Sequence, residues 1–169
     1  MSTFRYARSQ IAVHWLAALA TVFLLVTGTF VLSGMPNLAP KAGNLRIHLV
    51  VGVLAAALVV SRIVLRRRRP TPPPVAFERL ARAGHLALNL VVLLLAASGA
   101  GLMLQSGAFD AVFGSGTLPE DFGVFTLRRV HGLLTRLAMA LIALHVVAAL
   151  YHQFVLRDHL LARMGPGRS

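Results

Sequence analysis

The chain has 169 residues, 57% of them hydrophobic and only 13% charged, with 17 Lys and Arg against 5 Asp and Glu for a formal net charge of +12 and a mean hydropathy of +0.74. A soluble domain carries roughly 25% charged residues, so this composition describes a membrane protein, with room for a few crossings of about 20 apolar residues each. The sequence has no cysteine, which excludes disulfides, thiolate-held iron–sulfur clusters and thiol catalysis and leaves nitrogen and oxygen as the metal ligands.

Four apolar segments follow in chain order, at 11–32, 45–65, 83–104 and 130–155, each long enough to span a bilayer as a helix. The first is too long for a removed signal peptide, lacks a small-residue cleavage pattern and contains a histidine, so it reads as a mature helix. The connections SGMPNLAPKAGN, RRRRPTPPPVAFER and QSGAFDAVFGSGTLPEDFG hold the prolines and glycines that end helices outside hydrocarbon. The expectation is an all-α integral membrane four-helix bundle, up-down-up-down, forming a single transmembrane domain over 1–169.

Charge sets the expected orientation. Arg5, Arg8, Arg66, Arg67, Arg68, Arg69, Arg79, Arg82, Arg157, Arg163 and Arg168 all fall in the N-terminal tail, the second connection or the C-terminal tail. The positive-inside rule makes those regions and both termini cytoplasmic, and for a bacterial chain the other two connections face the periplasm. The arginines end apolar runs instead of forming an exposed basic face interleaved with aromatics, which argues against nucleic acid as a partner.

The fourth segment, RRVHGLLTRLAMALIALHVVAALYHQF, carries three histidines through an apolar run. Each imidazole in hydrocarbon must find a partner or cost free energy. His131 and His145 are 14 residues apart, nearly four whole turns, so they share one face about 21 Å apart along the axis. That separation is too great for one metal ion and suits two sites, one near each surface. His48 lies at the depth of His131, while His14, His85 and His152 compete as the partner of His145. Two stacked sites with two axial histidines each, drawn from different helices, describe a pair of b haems.

Gly28, on the face of His14 but at the outer depth, and Gly52, one turn beyond His48, stand where an outer macrocycle needs clearance; Gly132 sits beside His131. Gly99 and Gly101 read as helix-packing residues. A lone histidine near a helix end, such as His85 or His159, reads first as interfacial.

The order and spacing of SQIAVHWLA, LRIHLVVG, SRIVLRRRRPTPPP, AGHLALNLVVLLL and VHGLLTRLAMALIALHVVAALYH resemble the bacterial cytochrome b561 family, small four-helix di-haem proteins of the inner membrane. The resemblance covers nearly the full length. It implies that His14 and His145 ligate the cytoplasmic-side haem and that His48 and His131 ligate the periplasmic-side haem. His152 is then a non-ligand near the inner haem, with a propionate hydrogen bond, proton handling at a quinone or interfacial packing as its roles. Arg136 departs from the family pattern, where a small or polar residue is expected; a haem propionate or snorkelling to the outer surface would satisfy it, and Arg62 invites the same two readings.

Bis-histidine haem has no open coordination position and transfers single electrons, so the expected role is an electron conduit. Quinone, dissolved in the bilayer, is the natural acceptor. The resemblance implies, more sharply, oxidation of superoxide at the periplasmic face with ubiquinone reduced, and Lys41, Arg46, Arg128 and Arg129 form an outer cationic patch that would steer an anion. The alternative is a haem-bearing electron-transfer or anchor subunit of a periplasmic dehydrogenase or hydrogenase. A third reading is a haem-free transporter or scaffold, though four helices are few for a substrate pathway.

Overall fold

The computed structural model describes residues 4–68 and 76–165. Arg69 and Arg168, counted in the charge bias above, lie outside the described residues. Five α-helices are present among these: α1 (Arg8–Val26), α2 (Ala39–Arg68), α3 (Glu78–Gln105), the short α4 (Ala108–Phe113) and α5 (Thr126–Tyr151). A π-helical turn at Thr27–Leu32 extends α1 and another at His152–Leu156 extends α5. Four segments are long and apolar enough to cross a membrane, Arg8–Leu32, Ala39–Arg68, Glu78–Gln105 and Thr126–Leu156.

Each helix runs past its apolar stretch wherever the flanking residues allow it. Hydropathy ends where charge begins, but arginine is a good helix former, so α2 continues through Arg66, Arg67 and Arg68. At its other end α2 starts at Ala39, inside the stretch read as a connection. Pro40 is tolerated there because the first turn has no intrahelical use for its missing N–H. After α3 the chain turns at Gly107, whose φ of 68° lies in the left-handed region that costs glycine little, and enters α4.

The helices pack in sequence order. α1 lies along α2, α2 along α3 and α3 along α5, whereas α1 and α5 are not closely packed on each other. Along that looser seam an apolar groove of about 260 Å³ is lined by Val22, Leu25 and Val26 of α1 and by Met139 and Ile142 of α5. The tightest approach recorded at a glycine between spanning helices joins α3 to α5: a Cβ added at Gly101 would lie 2.9 Å from Leu127 Cδ1. Exposed apolar side chains such as Leu19, Val53, Leu86 and Leu144 cover the bundle, as lipid contact requires.

Two ends are distinguishable. At the arginine-rich end the segment after α5 folds back over the start of α1: Trp15 Nε1 donates to Met164 O at 3.0 Å, Tyr6 N to Arg163 O at 3.2 Å and Arg5 Nη2 to Gly165 O at 2.8 Å. The two described ends of the chain therefore meet. At the opposite end α4 and the loop after it cover the start of α2, with Met103, Ala108 and Val112 buried together. Arg46 Nε fixes this cover by donating to Val112 O at 2.7 Å.

Gly101 sets the closeness of α3 and α5. Gly101→Val is expected to destabilise the folded protein by about 1–3 kcal/mol through overpacking, read as a lowered thermal midpoint of the detergent-solubilised protein. Gly101→Ala should cost less, because the Leu127 terminus can rotate away.

Candidate functional site

Histidines from four helices come together as two groups. At the end opposite the arginine-rich one, His48 of α2 faces His131 of α5 with ring centres 6.5 Å apart and planes at 66°. At the arginine-rich end His14 of α1 faces His145 of α5 at 6.4 Å and 63°. His85 of α3 lies nearer still to His145, at 5.4 Å. All five rings are partly buried.

Ring spacing separates these contacts by their chemistry. Two imidazoles bound to opposite sides of one metal, with bonds of about 2 Å and each ring centre about 1.1 Å behind its nitrogen, have centres about 6.3 Å apart. The His14–His145 and His48–His131 spacings fit that requirement, and the His85–His145 spacing is short for it. Among the described residues no group of three or more His, Cys, Asp or Glu could hold a metal ion. A site with two imidazoles and no third ligand suits a group that brings its own equatorial nitrogens, as a porphyrin does. His14 and His145 come from α1 and α5, the two spanning helices that do not pack closely on each other.

Small residues admit the rings. A Cβ added at Gly28 would lie 3.1 Å from His48 Cε1, so the bare backbone of the π-helical turn makes room for that imidazole. Gly99 does the same on α3: its added Cβ would lie 3.3 Å from His131 Cε1. Spacing alone marked Gly99 only as a packing residue, and the group it packs against is an imidazole. A Cβ at Gly52 would meet nothing within 4 Å, and at Gly132 only Arg128 Nη1, at 3.5 Å.

The polar surroundings of the rings are unequal. Ser98 Oγ lies 2.9 Å from His131 Nδ1 and 3.1 Å from Leu95 O. His48 Nδ1 and His85 Nδ1, by contrast, are buried without a hydrogen-bond partner. Arg62, half-buried on α2, reaches Asn89 Oδ1 of α3 at 3.5 Å and is close enough to act electrostatically on His14, His85 and His145. No carboxylate pairs with Arg62 among the described residues.

Two further residues singled out in the sequence lie apart from the pairs. His152 is 6% exposed and its Nδ1 meets Asp158 Oδ2 at 2.6 Å. The turn that brings Asp158 back carries left-handed backbone on both sides, at Arg157 (φ 54°) and His159 (φ 55°), while Asp158 Oδ1 accepts from Leu160 N at 3.2 Å. Arg136 is exposed on α5 and pairs with no carboxylate among the described residues, a placement that suits snorkelling. Asp158, Asn89 and Ser98 were not legible beforehand, since each acts through a neighbour the sequence does not reveal.

At the opposite end Lys41 and Arg128 lie within electrostatic reach of each other, and Arg128 within reach of His131. Lys41 Nζ is held by Met35 O at 2.9 Å and Asn37 Oδ1 at 2.7 Å. The acidic residues nearby are turned into their own loops. Asp121 Oδ1 accepts from Gly123 N at 2.6 Å, and the Asp110 carboxylate packs against Gly114 and Gly116. The positive field is thus left uncompensated by ion pairs among the described residues. Beside it a groove of about 540 Å³ is lined by Asn37, Arg46, Ser115 and Thr117 among others.

Gly28→Val should displace His48 and lower the occupancy of the site it forms with His131. Gly43→Ala, where the added atom meets open space, should leave it unchanged. Visible absorbance per chain of the purified proteins measures both.

Comparison with known proteins places this geometry. The family described as prokaryotic cytochrome b561 matches residues 5–167. The chain is 30% identical to a protein of Yersinia pestis named probable superoxide oxidase CybB, the alignment covering 96% of each. It is 26% identical to cytochrome b561 homolog 1 of Escherichia coli strain K12, over 98% of this chain and 99% of that one. It is 29% identical to a cytochrome b562 of Cereibacter sphaeroides, over 94% of each. No solved structure matches the chain significantly.

Proposed function

The chain belongs to the prokaryotic cytochrome b561 family, and on that premise we propose that it is a di-haem b cytochrome of the bacterial inner membrane, carrying electrons from superoxide at the periplasmic face to the quinone pool. The observation that carries this reading is the two imidazole pairs, at 6.4 and 6.5 Å, set at opposite ends of one membrane-crossing bundle. Haem b held between two imidazoles exchanges single electrons and offers no open coordination position.

His14 and His145 would hold the haem at the arginine-rich end, and His48 and His131 the other. The positive-inside rule makes the arginine-rich end cytoplasmic, with both termini there. Arg62, without a carboxylate partner among the described residues, would neutralise a propionate of the inner haem. Gly28 and Gly99 keep backbone and side-chain bulk away from the outer ligand rings, and Gly52 leaves open space one turn beyond His48.

At the periplasmic end Lys41, Arg46, Arg128 and Arg129 would draw a small anion toward the outer pair, whose field the loop carboxylates leave standing. The likeness to a protein named probable superoxide oxidase supports superoxide as that anion. Each superoxide gives up one electron and leaves as dioxygen, while one ubiquinone takes up two electrons and two protons to become ubiquinol. His152 is suited to handling those protons, because Asp158 holds its Nδ1 and leaves Nε2 to give or take one.

His131→Ala and His145→Ala are each expected to reduce haem content from two per chain to one, measured as pyridine haemochrome, and His159→Ala to keep both. Superoxide should reduce the wild-type protein, and a ubiquinone analogue should reoxidise it. Unchanged haem in both ligand variants would refute the ligand assignment. Two haems that ignore superoxide, in a protein that copurifies with a periplasmic dehydrogenase or hydrogenase, would assign the chain instead to an accessory electron-transfer subunit.

A further inference from the structure

Of the four histidines in the two pairs, only His131 has a hydrogen-bonding partner for its Nδ1 among the described residues. That partner, Ser98 Oγ at 2.9 Å, is 7% exposed on α3 and also lies 3.1 Å from the Leu95 carbonyl oxygen. A hydroxyl has one proton and two lone pairs. Leu95 O can only accept, so the Ser98 proton can go to it while the lone pairs of Oγ accept from the ring. The chain of bonds then has one consistent direction: His131 Nδ1–H donates to Ser98 Oγ, and Ser98 Oγ–H donates to Leu95 O. With Nε2 given to a haem iron as proposed above, the ring proton of His131 is on Nδ1, and the bonds take this direction.

The partner ring differs. His48 Nδ1 is buried and has no hydrogen-bond partner, so packing, including that against Gly28, orients the ring. Gly99, the residue after Ser98, lets the His131 ring approach α3 closely enough for the bond to form: a side chain there would begin 3.3 Å from Cε1 and 3.6 Å from Nδ1. One turn of α3 therefore supplies both the acceptor and the clearance.

We propose that Ser98 is a positioning and tuning residue, which through the Nδ1 hydrogen bond locks His131 as an Nε2 ligand and lowers the reduction potential of the outer haem relative to the same site without the bond. A donor hydrogen bond from the far nitrogen makes an imidazole a more basic ligand, and a more basic ligand favours the more highly charged ferric iron. Onward donation to Leu95 O polarises the hydroxyl and strengthens the effect. Among the described residues the inner pair has no counterpart of Ser98, so the adjustment acts on one haem alone. This inference rests on the haem ligation proposed above.

The test is a potentiometric titration of the haem-loaded protein, following each haem by its visible absorbance, with Ser98→Ala against wild type. The expected result is two haems per chain, the inner potential unchanged, and the outer haem shifted toward the reduced form by up to about tenfold in its equilibrium, which is 59 mV for one electron. Two haems with both potentials unmoved would overturn the inference while leaving the ligation intact. An outer haem that survives His131→Ala would instead refute the ligation. If Ser98→Ala loses the outer haem, Ser98→Thr decides: outer haem recovered at the wild-type potential supports the positioning role, and failure to recover it overturns that role. The low-spin ferric resonance of the outer haem gives a second readout, which should shift in Ser98→Ala and return in Ser98→Thr.

Discussion

An imidazole in hydrocarbon has two nitrogens to satisfy, and each one left unmet costs the free energy of burying a polar group unpaired. Five histidines of this chain lie partly buried on helices otherwise composed for lipid, and four of them meet as opposed pairs at 6.4 and 6.5 Å. Much of the architecture answers to that requirement. α5 supplies one ring to each pair because 14 residues return the helix to the same face about 21 Å further along. α1 and α2 each supply one opposing ring, and α3 supplies the hydroxyl and the bare glycine against which one ring is set.

The helices around this axis are packed unevenly, and the unevenness has a use. α3 and α5 approach closely enough for Gly101 to lie against Leu127, so the helix bearing two of the rings has a firm backing. α1 and α5 do not pack closely, and the inner pair bridges that seam. A ligand shared by His14 and His145 would therefore also tie the first spanning helix to the last. The protein adds a tie of its own at the same end, where carbonyls of the segment after α5 accept from Tyr6, Arg5 and Trp15.

Much of this was written in the sequence in a form that counting can read. Apolar runs give four spanning helices, and helical phase puts His131 and His145 on one face. Nearness to helix ends sets His48 beside His131. The partner of His145 was not readable by depth, because His14, His85 and His152 all fall near the arginine-rich end and a turn or two of uncertainty exceeds the difference between them. Ring spacing distinguishes two of the three, with His14 at the distance two opposed ligands need and His85 closer, while the third, His152, is engaged by Asp158. Other features depended on contacts across the fold or on turns with no periodic signal. Ser98 finds His131 from 33 residues away, and Asp158 reaches back to His152 only because the backbone turns left-handed on either side of it. Helix ends were missed for a simpler reason: hydropathy stops at the arginines, and the backbone does not.

The central claim, two six-coordinate haem sites at opposite depths, is tested most directly on the unmodified protein by pyridine haemochrome quantification together with the reduced spectrum before and after carbon monoxide. The account requires two b haems per chain and a reduced spectrum that carbon monoxide leaves unchanged, since both axial positions are taken by imidazoles. A single haem per chain, or a reduced spectrum that shifts on carbon monoxide binding, would contradict it.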